Sequence, residues 1–264
     1  MSATKTHQTA LKTDSLRGKA PGFIYTPTSD SRSQPNPEQF ALDRHKSRLK
    51  RLKHSTITAA RLLQETIETE KQRYQPWLVT LTYREGVQWN ASHITKTIKN
   101  ARDWFSRRGY PCRYVWVAEI QEKRKAKYGG HCVHYHIIFW LPRHLQLPKF
   151  DKREWWPHGM TETVKARNAV GYIAKYSSKG GKSTDFPRNC RMHGSGGLTA
   201  PSRWLKAWWL MPKYVREHFP EYTHRPVRSK GGGFVSKVTG DFLASIYEIV
   251  SFNPLIIQKK QVFS

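Results

Sequence analysis

The stretch His131–Leu141, HCVHYHIIFWL, decides how this chain folds. It contains no Gly, no Pro and no acidic or Lys/Arg side chain, and β-branched and aromatic residues dominate it, which marks a strand. Successive side chains of a strand point to opposite faces. Val133, Tyr135, Ile137 and Phe139 therefore share one apolar face that must be buried. Cys132, His134, His136, Ile138 and Trp140 share the other. His134 and His136 project side by side, ~7 Å apart at a rise of ~3.3 Å per residue, a span over which two imidazoles can converge on one metal ion. His131 falls on the opposite face. A lone histidine in a strand is usually structural, but a His-x-His pair set among apolar residues is less often so.

Working outward, the preceding segment Arg113–Gln121 (RYVWVAEIQ) reads as another strand, joined to the first through EKRKAKYGG as an antiparallel hairpin. Val115, Val117 and Glu119 alternate together, which puts a carboxylate on a strand otherwise built of Val, Trp and Ile. A buried acid is costly unless it is paired or bound to metal. His134, His136 and Glu119 form a two-histidine, one-carboxylate set suited to Mg2+ or Mn2+. Two alternatives stay open at this point: a salt bridge from Glu119 to a nearby Lys or Arg, and a zinc site using Cys132. Glu122, in the turn, is expected to be solvated.

Further out, Trp77–Tyr83 alternates as a strand, and Ala91–Arg108 carries a helical stripe of Ile94, Ile98, Ala101, Trp104 and Phe105. A short strand is expected at Met160–Lys165 and a helix from Asn168 to Ser178. Gly-rich runs follow, then a helix containing Trp204, Trp208 and Trp209. The order of elements predicts an α+β fold, an antiparallel sheet with packed helices. Residues 1–36 are expected to be a disordered basic segment. Residues 37–74 are expected to be a basic helical extension, with Arg44, Lys46, Arg48, Lys50, Arg51 and Lys53 either lying along a phosphate backbone or forming a solvated face. Residues 181–264 form a basic C-terminal region with no assigned role.

The helix contains Tyr172-Ile-Ala-Lys175-Tyr176-Ser-Ser-Lys179. Residues four apart share a helical face, so the two phenols are neighbours, with Cβ atoms ~5–6 Å apart. Tyrosines at this spacing are commonly core, yet Lys175 and Lys179 on the same stripe argue against full burial. The two lysines would hold a phosphodiester and favour the phenolate over its reference pKa of ~10.

Composition names the partner. Forty-six Lys and Arg against 19 Asp and Glu give +27, a charge that calls for an anionic polymer. Ten Trp and 12 Tyr favour unpaired bases, which stack on aromatic rings. Three scattered cysteines without a CxxC pair exclude a disulfide framework and fit a reducing compartment. With no apolar run of membrane-spanning length and no signal-peptide pattern, a cytoplasmic protein is expected.

Three motifs in order resemble the HUH endonucleases, specifically the two-tyrosine rolling-circle replication initiators (Rep proteins) of bacterial single-stranded DNA phages. Leu78-Val-Thr80-Leu-Thr82 is similar to the family's Thr-rich first motif, His134-Tyr-His136 to its metal-binding pair, and Tyr172 through Lys179 to its two-tyrosine signature. The resemblance spans about residues 75–180 and implies a nicking and joining domain with a ferredoxin- or RRM-like core. It implies metal ligation by His134, His136 and Glu119 and nucleophilic roles for Tyr172 and Tyr176 beside Lys175. It also implies origin contacts by Thr80, Thr82 and Lys179. No Gly-x-x-x-x-Gly-Lys-Ser/Thr run is present, so a host helicase and single-strand-binding protein would assist in a bacterial cell. A transposase of the same chemistry and a non-catalytic binder of single strands are the competing readings.

Overall fold

A computed structural model describes residues 39–129, 132–179, 186–230 and 232–260. The N-terminal segment 1–36, His131 and the Gly-rich run 180–185 lie outside the described residues. The chain order is strand β1 (Gln39–Ala41), helix α1 (Arg44–Glu68), β2 (Tyr74–Tyr83), α2 (Ala91–Ser106), β3 (Arg113–Ile120), α3 (Glu122–Tyr128), β4 (Val133–Pro142), β5 (Gly159–Lys165) and α4 (Ala169–Lys179). It continues with β6 (His193–Gly196), α5 (Ala200–Trp209), α6 (Lys213–His218), and the short strands β7 (Pro226–Arg228), β8 (Phe234–Ser236) and β9 (Phe242–Leu243). The last strands are β10 (Tyr247–Phe252) and β11 (Leu255–Lys259).

The central sheet has the order β5-β2-β4-β3-β6, and every pairing in it is antiparallel. The α+β class expected from the sequence is the one found. The strand read first from the sequence, β4, lies in the middle, and all ten of its residues are buried. Helices cover both faces of this sheet, so its central strand reads as a nearly continuous apolar run. On one face Val133, Tyr135, Ile137 and Phe139 pack against Ile94, Ile98, Ala101 and Phe105 of α2. The Tyr135 hydroxyl, buried there, accepts a hydrogen bond from Trp89 Nε1 at 2.7 Å, which removes the cost of an unsatisfied phenol.

On the other face Leu78, Val115, Val117, Ile138 and Trp140 pack against α1 and α4. The 25 residues of α1 bury a stripe through Leu52, Ala59, Leu63 and Ile67, the i, i+3/i+4 spacing of one helical face. From α4 come Ala169 and Ile173. Their burial sets the rotation of α4 and so fixes which flank its tyrosines occupy.

Some expectations shift. The helix foreseen from Pro37 starts at Arg44, because Asp43 caps it by accepting from the Lys46 amide at 2.9 Å. The residues before it instead form β1, paired with β11. The basic turn EKRKAKYGG holds a helix, α3, with no buried residue, and Glu122 there is exposed as expected. The Gly-rich GSG segment lies in an edge strand, β6. A Cβ on Gly194 would lie 2.5 Å from Trp116 Nε1, and one on Gly196 would overlap the Tyr114 ring. Only glycine lets those two rings of β3 cross the neighbouring strand. Beyond the central sheet, β7-β8-β9 forms a small sheet whose Phe234 packs with Val215 and Phe219, and β1-β11-β10 forms another. Among the described residues, no helix is long and apolar enough to cross a membrane.

Candidate functional site

Antiparallel register brings the predicted residues into two rows on the α1/α4 face. Thr82 pairs with His134, and His134 with Glu119. One row along, Glu162 pairs with Thr80, Thr80 with His136, His136 with Val117, and Val117 with His193. Residues directly opposed across a ladder share a face, so two histidines, two threonines and the carboxylate of Glu119 are gathered on one small patch.

Both histidines are nearly inaccessible, at 4% exposure for His134 and 5% for His136. Their Nδ1 atoms face the threonines: His136 Nδ1 is 3.3 Å from Thr80 Oγ1, and His134 Nδ1 is 3.4 Å from Thr82 Oγ1. With the Thr82 hydroxyl accepting from His134 Nδ1–H, the Nε2 of that ring is left with its lone pair free for a ligand, and the two threonines fix ring orientation as outer-sphere partners do at metal sites. Across the patch, His136 Nε2 meets Glu119 Oε2 at 2.8 Å. Burial works against the charge on Glu119, but the His136 hydrogen bond, with the charges of His136 and Lys179, outweighs it and holds the carboxyl below its usual range. Burial, reinforced by His136 and Arg124, pushes His134 down to about 4, which leaves its imidazole neutral and able to donate a lone pair at neutral pH.

By donor type alone, two imidazoles and a carboxylate suit a divalent ion of the Mg2+ or Mn2+ class, which His134, His136 and Glu119 would hold. Among the described residues, no group of three or more His, Cys, Asp or Glu side chains is placed so that it could hold a metal ion. The imidazole centroids are 6.5 Å apart, and His136 and Glu119 are joined directly. Cys132, the alternative ligand, precedes the ladder with a left-handed φ of 40° and turns its thiol to the Gly129 carbonyl at 3.3 Å.

Helix α4 lays Tyr176 on this patch. Its ring is parallel to that of His136, with centroids 3.6 Å apart and planes 12° from parallel. The ammonium groups of Lys175 and Lys179 lie 5.6 and 5.7 Å from the Tyr176 ring centroid. Tyr172 is half-buried beside the α1/α4 core. The expectation that the lysines favour the phenolate meets an opposing balance. Burial, then Glu119, Tyr172 and Glu162, push the Tyr176 hydroxyl above its ordinary value. The lysines sit over the ring face, where a cation is attracted to the π cloud.

Beside His134 a cleft of about 420 Å3 opens, lined by Arg84, Trp89, Arg124 and Tyr128 among others. Three features escaped the sequence reading. Thr80 and Thr82 face the histidines, which only the register of β2 on β4 reveals. Glu162 joins the tyrosine's surroundings from a strand too short to weigh by pattern. His193 extends the His136 row from a Gly-rich strand.

No curated protein and no solved structure matches the chain. Residues 76–181 match a family model of replication-associated proteins, the ORF2 family. That span contains Thr80, Thr82, Glu119, His134, His136, Tyr172, Lys175, Tyr176 and Lys179, and the match supports a replication-associated, Rep-type protein.

Proposed function

We propose that this chain is a rolling-circle replication initiator, a metal-dependent enzyme that nicks single-stranded origin DNA and transfers the strand through a phosphotyrosine. The observation that carries the reading is the stacking of Tyr176 on His136. It sets a candidate nucleophile and a candidate metal ligand in contact, although they lie 40 residues apart in sequence and on separate elements. The family match at residues 76–181 points the same way.

His134, His136 and Glu119 would hold a divalent ion, which when bound would supply Lewis-acid polarisation of the scissile phosphate. Thr80 and Thr82 orient the two imidazoles. Lys175 and Lys179 hold the phosphodiester against the α4 face by charge. A tyrosine Oη attacks phosphorus in line, its proton leaving to solvent. The Tyr–O–P bond forms as the P–O3′ bond breaks, and the 3′ oxygen takes up a proton to become a free 3′-OH. One phosphodiester is exchanged for another, so the step reverses and rejoins strands. The second tyrosine, one helical turn away, serves a second transfer while the first still carries a 5′ end. The single strand approaches through the cleft beside His134, where Trp89 and Tyr128 offer rings for stacking. Such an enzyme works with a host helicase and single-strand-binding protein in the bacterial cytoplasm.

The test is a denaturing gel of the protein with labelled single-stranded origin oligonucleotides, with and without Mn2+. A covalent adduct is expected only with metal and only while Tyr172 or Tyr176 is present. An undiminished adduct in the Tyr172→Phe/Tyr176→Phe protein overturns the reading.

A further inference from the structure

The basic first half of α1 plays no part in the mechanism above. Its Arg48 and Arg51 line a cleft of about 310 Å3, together with Arg191, Met192 and His193 from the segment entering β6 and with Leu52 below. Among the described residues, no carboxylate lines it. Arg48 reaches across to donate to the Cys190 carbonyl at 2.8 Å, which ties the helix to that segment. Lys206 of α5, half-buried, donates to Ser195 Oγ at 2.9 Å on the adjoining stretch of β6.

The electrostatics of His193 report on the whole cluster. Burial pushes it down to about 4, and every charge that adds to the effect is cationic: Lys206, Arg191, Arg48 and Arg51. Burial also lowers Lys206 to about 8. Arg48, Arg51 and Arg191 are exposed to solvent, with their guanidinium groups accessible to a phosphate, which such planar donors bind bidentately. The cleft is small, near the lower end of the ~300–1,000 Å3 common for ligand sites, which suits one phosphate and not a duplex.

His193 stands in the same row and on the same face as His136, with Val117 between them. Two strand spacings of ~4.8 Å set the residues roughly 10 Å apart. We infer that Arg48, Arg51, Arg191 and His193 form a phosphate pocket that grips the backbone of single-stranded DNA at a fixed distance from the nicking centre. This rests on the reading of the chain as a single-stranded DNA nicking enzyme and adds a register point for the bound strand.

The experiment measures affinity of the full chain in EDTA, so that nothing is cleaved, for origin oligonucleotides carrying one neutral methylphosphonate moved along the strand. Wild type is expected to lose about tenfold in affinity at one position, the size of a charge-assisted contact. Arg48→Ala/Arg51→Ala should bind more weakly, show no such position, and lower the slope of log K against log salt by about 0.7 per phosphate released. Arg51→Ala alone spares the Arg48–Cys190 bond and should at least halve the sensitivity, so a folding defect in the double variant cannot decide the matter. Lys152→Ala/Arg153→Ala, removing an exposed basic pair elsewhere, should keep the position. A profile identical in wild type and both arginine variants overturns the pocket while leaving the nicking reading intact. Failure of wild type to bind any single strand overturns both. A position-specific loss without any metal-dependent adduct keeps the pocket and removes the nicking.

Discussion

Tyr176 lies flat on His136, ring centroids 3.6 Å apart, so one side chain of α4 contacts one of the most buried polar groups of the central sheet. The contact involves the ring and not the hydroxyl. Tyr176→Phe therefore keeps the packing while deleting the oxygen. We expect an unchanged thermal midpoint for Tyr176→Phe and, with Tyr172 also changed to Phe, a fall in first-turnover adduct of roughly 100-fold or more. A midpoint scan beside a single-turnover gel separates the two effects. A large loss of stability in the Phe variant would show that the hydroxyl is structural.

Thr80 and Thr82 are expected to act through the histidines. Replacing either with Val retains β-branching and volume but removes the oxygen beside Nδ1. Mn2+ affinity, read by electron paramagnetic resonance of free Mn2+ in the absence of DNA, should weaken about tenfold or more in each variant. Equal Mn2+ affinity in Thr80→Val and wild type would confine the threonine to packing or to the DNA.

Gly194 is required by the indole that crosses it. In Gly194→Ala the new Cβ would start 2.5 Å from Trp116 Nε1, so either the ring or the edge strand must shift. A loss of about 1–3 kcal/mol is expected, measured as a lowered urea midpoint at constant slope. A midpoint equal to wild type would mean that β6 gives way without cost.

Acid stability should depend on Glu70. Burial works against its charge, but hydrogen bonds from Arg113 and Tyr74 outweigh it and hold the carboxyl below its ordinary 4.5. A depressed carboxylate stabilises the fold above its unfolded pKa, and that contribution is lost as pH falls through the folded value. The thermal midpoint of wild type should thus drop between about pH 5 and pH 3 more steeply than that of Glu70→Gln, which lacks the titrating group. Parallel pH profiles would remove Glu70 from the balance.

The parts legible in the sequence are those where side-chain pattern and backbone agree. Alternation in β4 put Tyr135 on one face and His136 on the other, and helical spacing put Tyr172 beside Tyr176. The same alternation placed Glu119 with Val115 and Val117, but its pairing with His134 depends on register, which the segment between β3 and β4 conceals because it folds as α3. The strand β6 was hidden because its glycines are there for the benefit of Trp116 and Tyr114, residues distant in sequence. The balance of charge on Tyr176 was misread for a related reason. Lys175 and Lys179 are visible neighbours along the helix, whereas Glu119 and Glu162 arrive from strands.

The burial of β4 from end to end has one more consequence. His134 and His136 belong to the strand on which two hydrophobic cores meet, so the candidate site and the cohesion of the molecule draw on the same ten residues. This couples heritable change in one to change in the other. A new spacing of the imidazoles would demand a new core, while α4, with its exposed lysine flank, and the loops at the cleft can vary with little effect on the rest. On the proposed function, adaptation to a different origin sequence would be channelled to the periphery, around a centre that has little room to move.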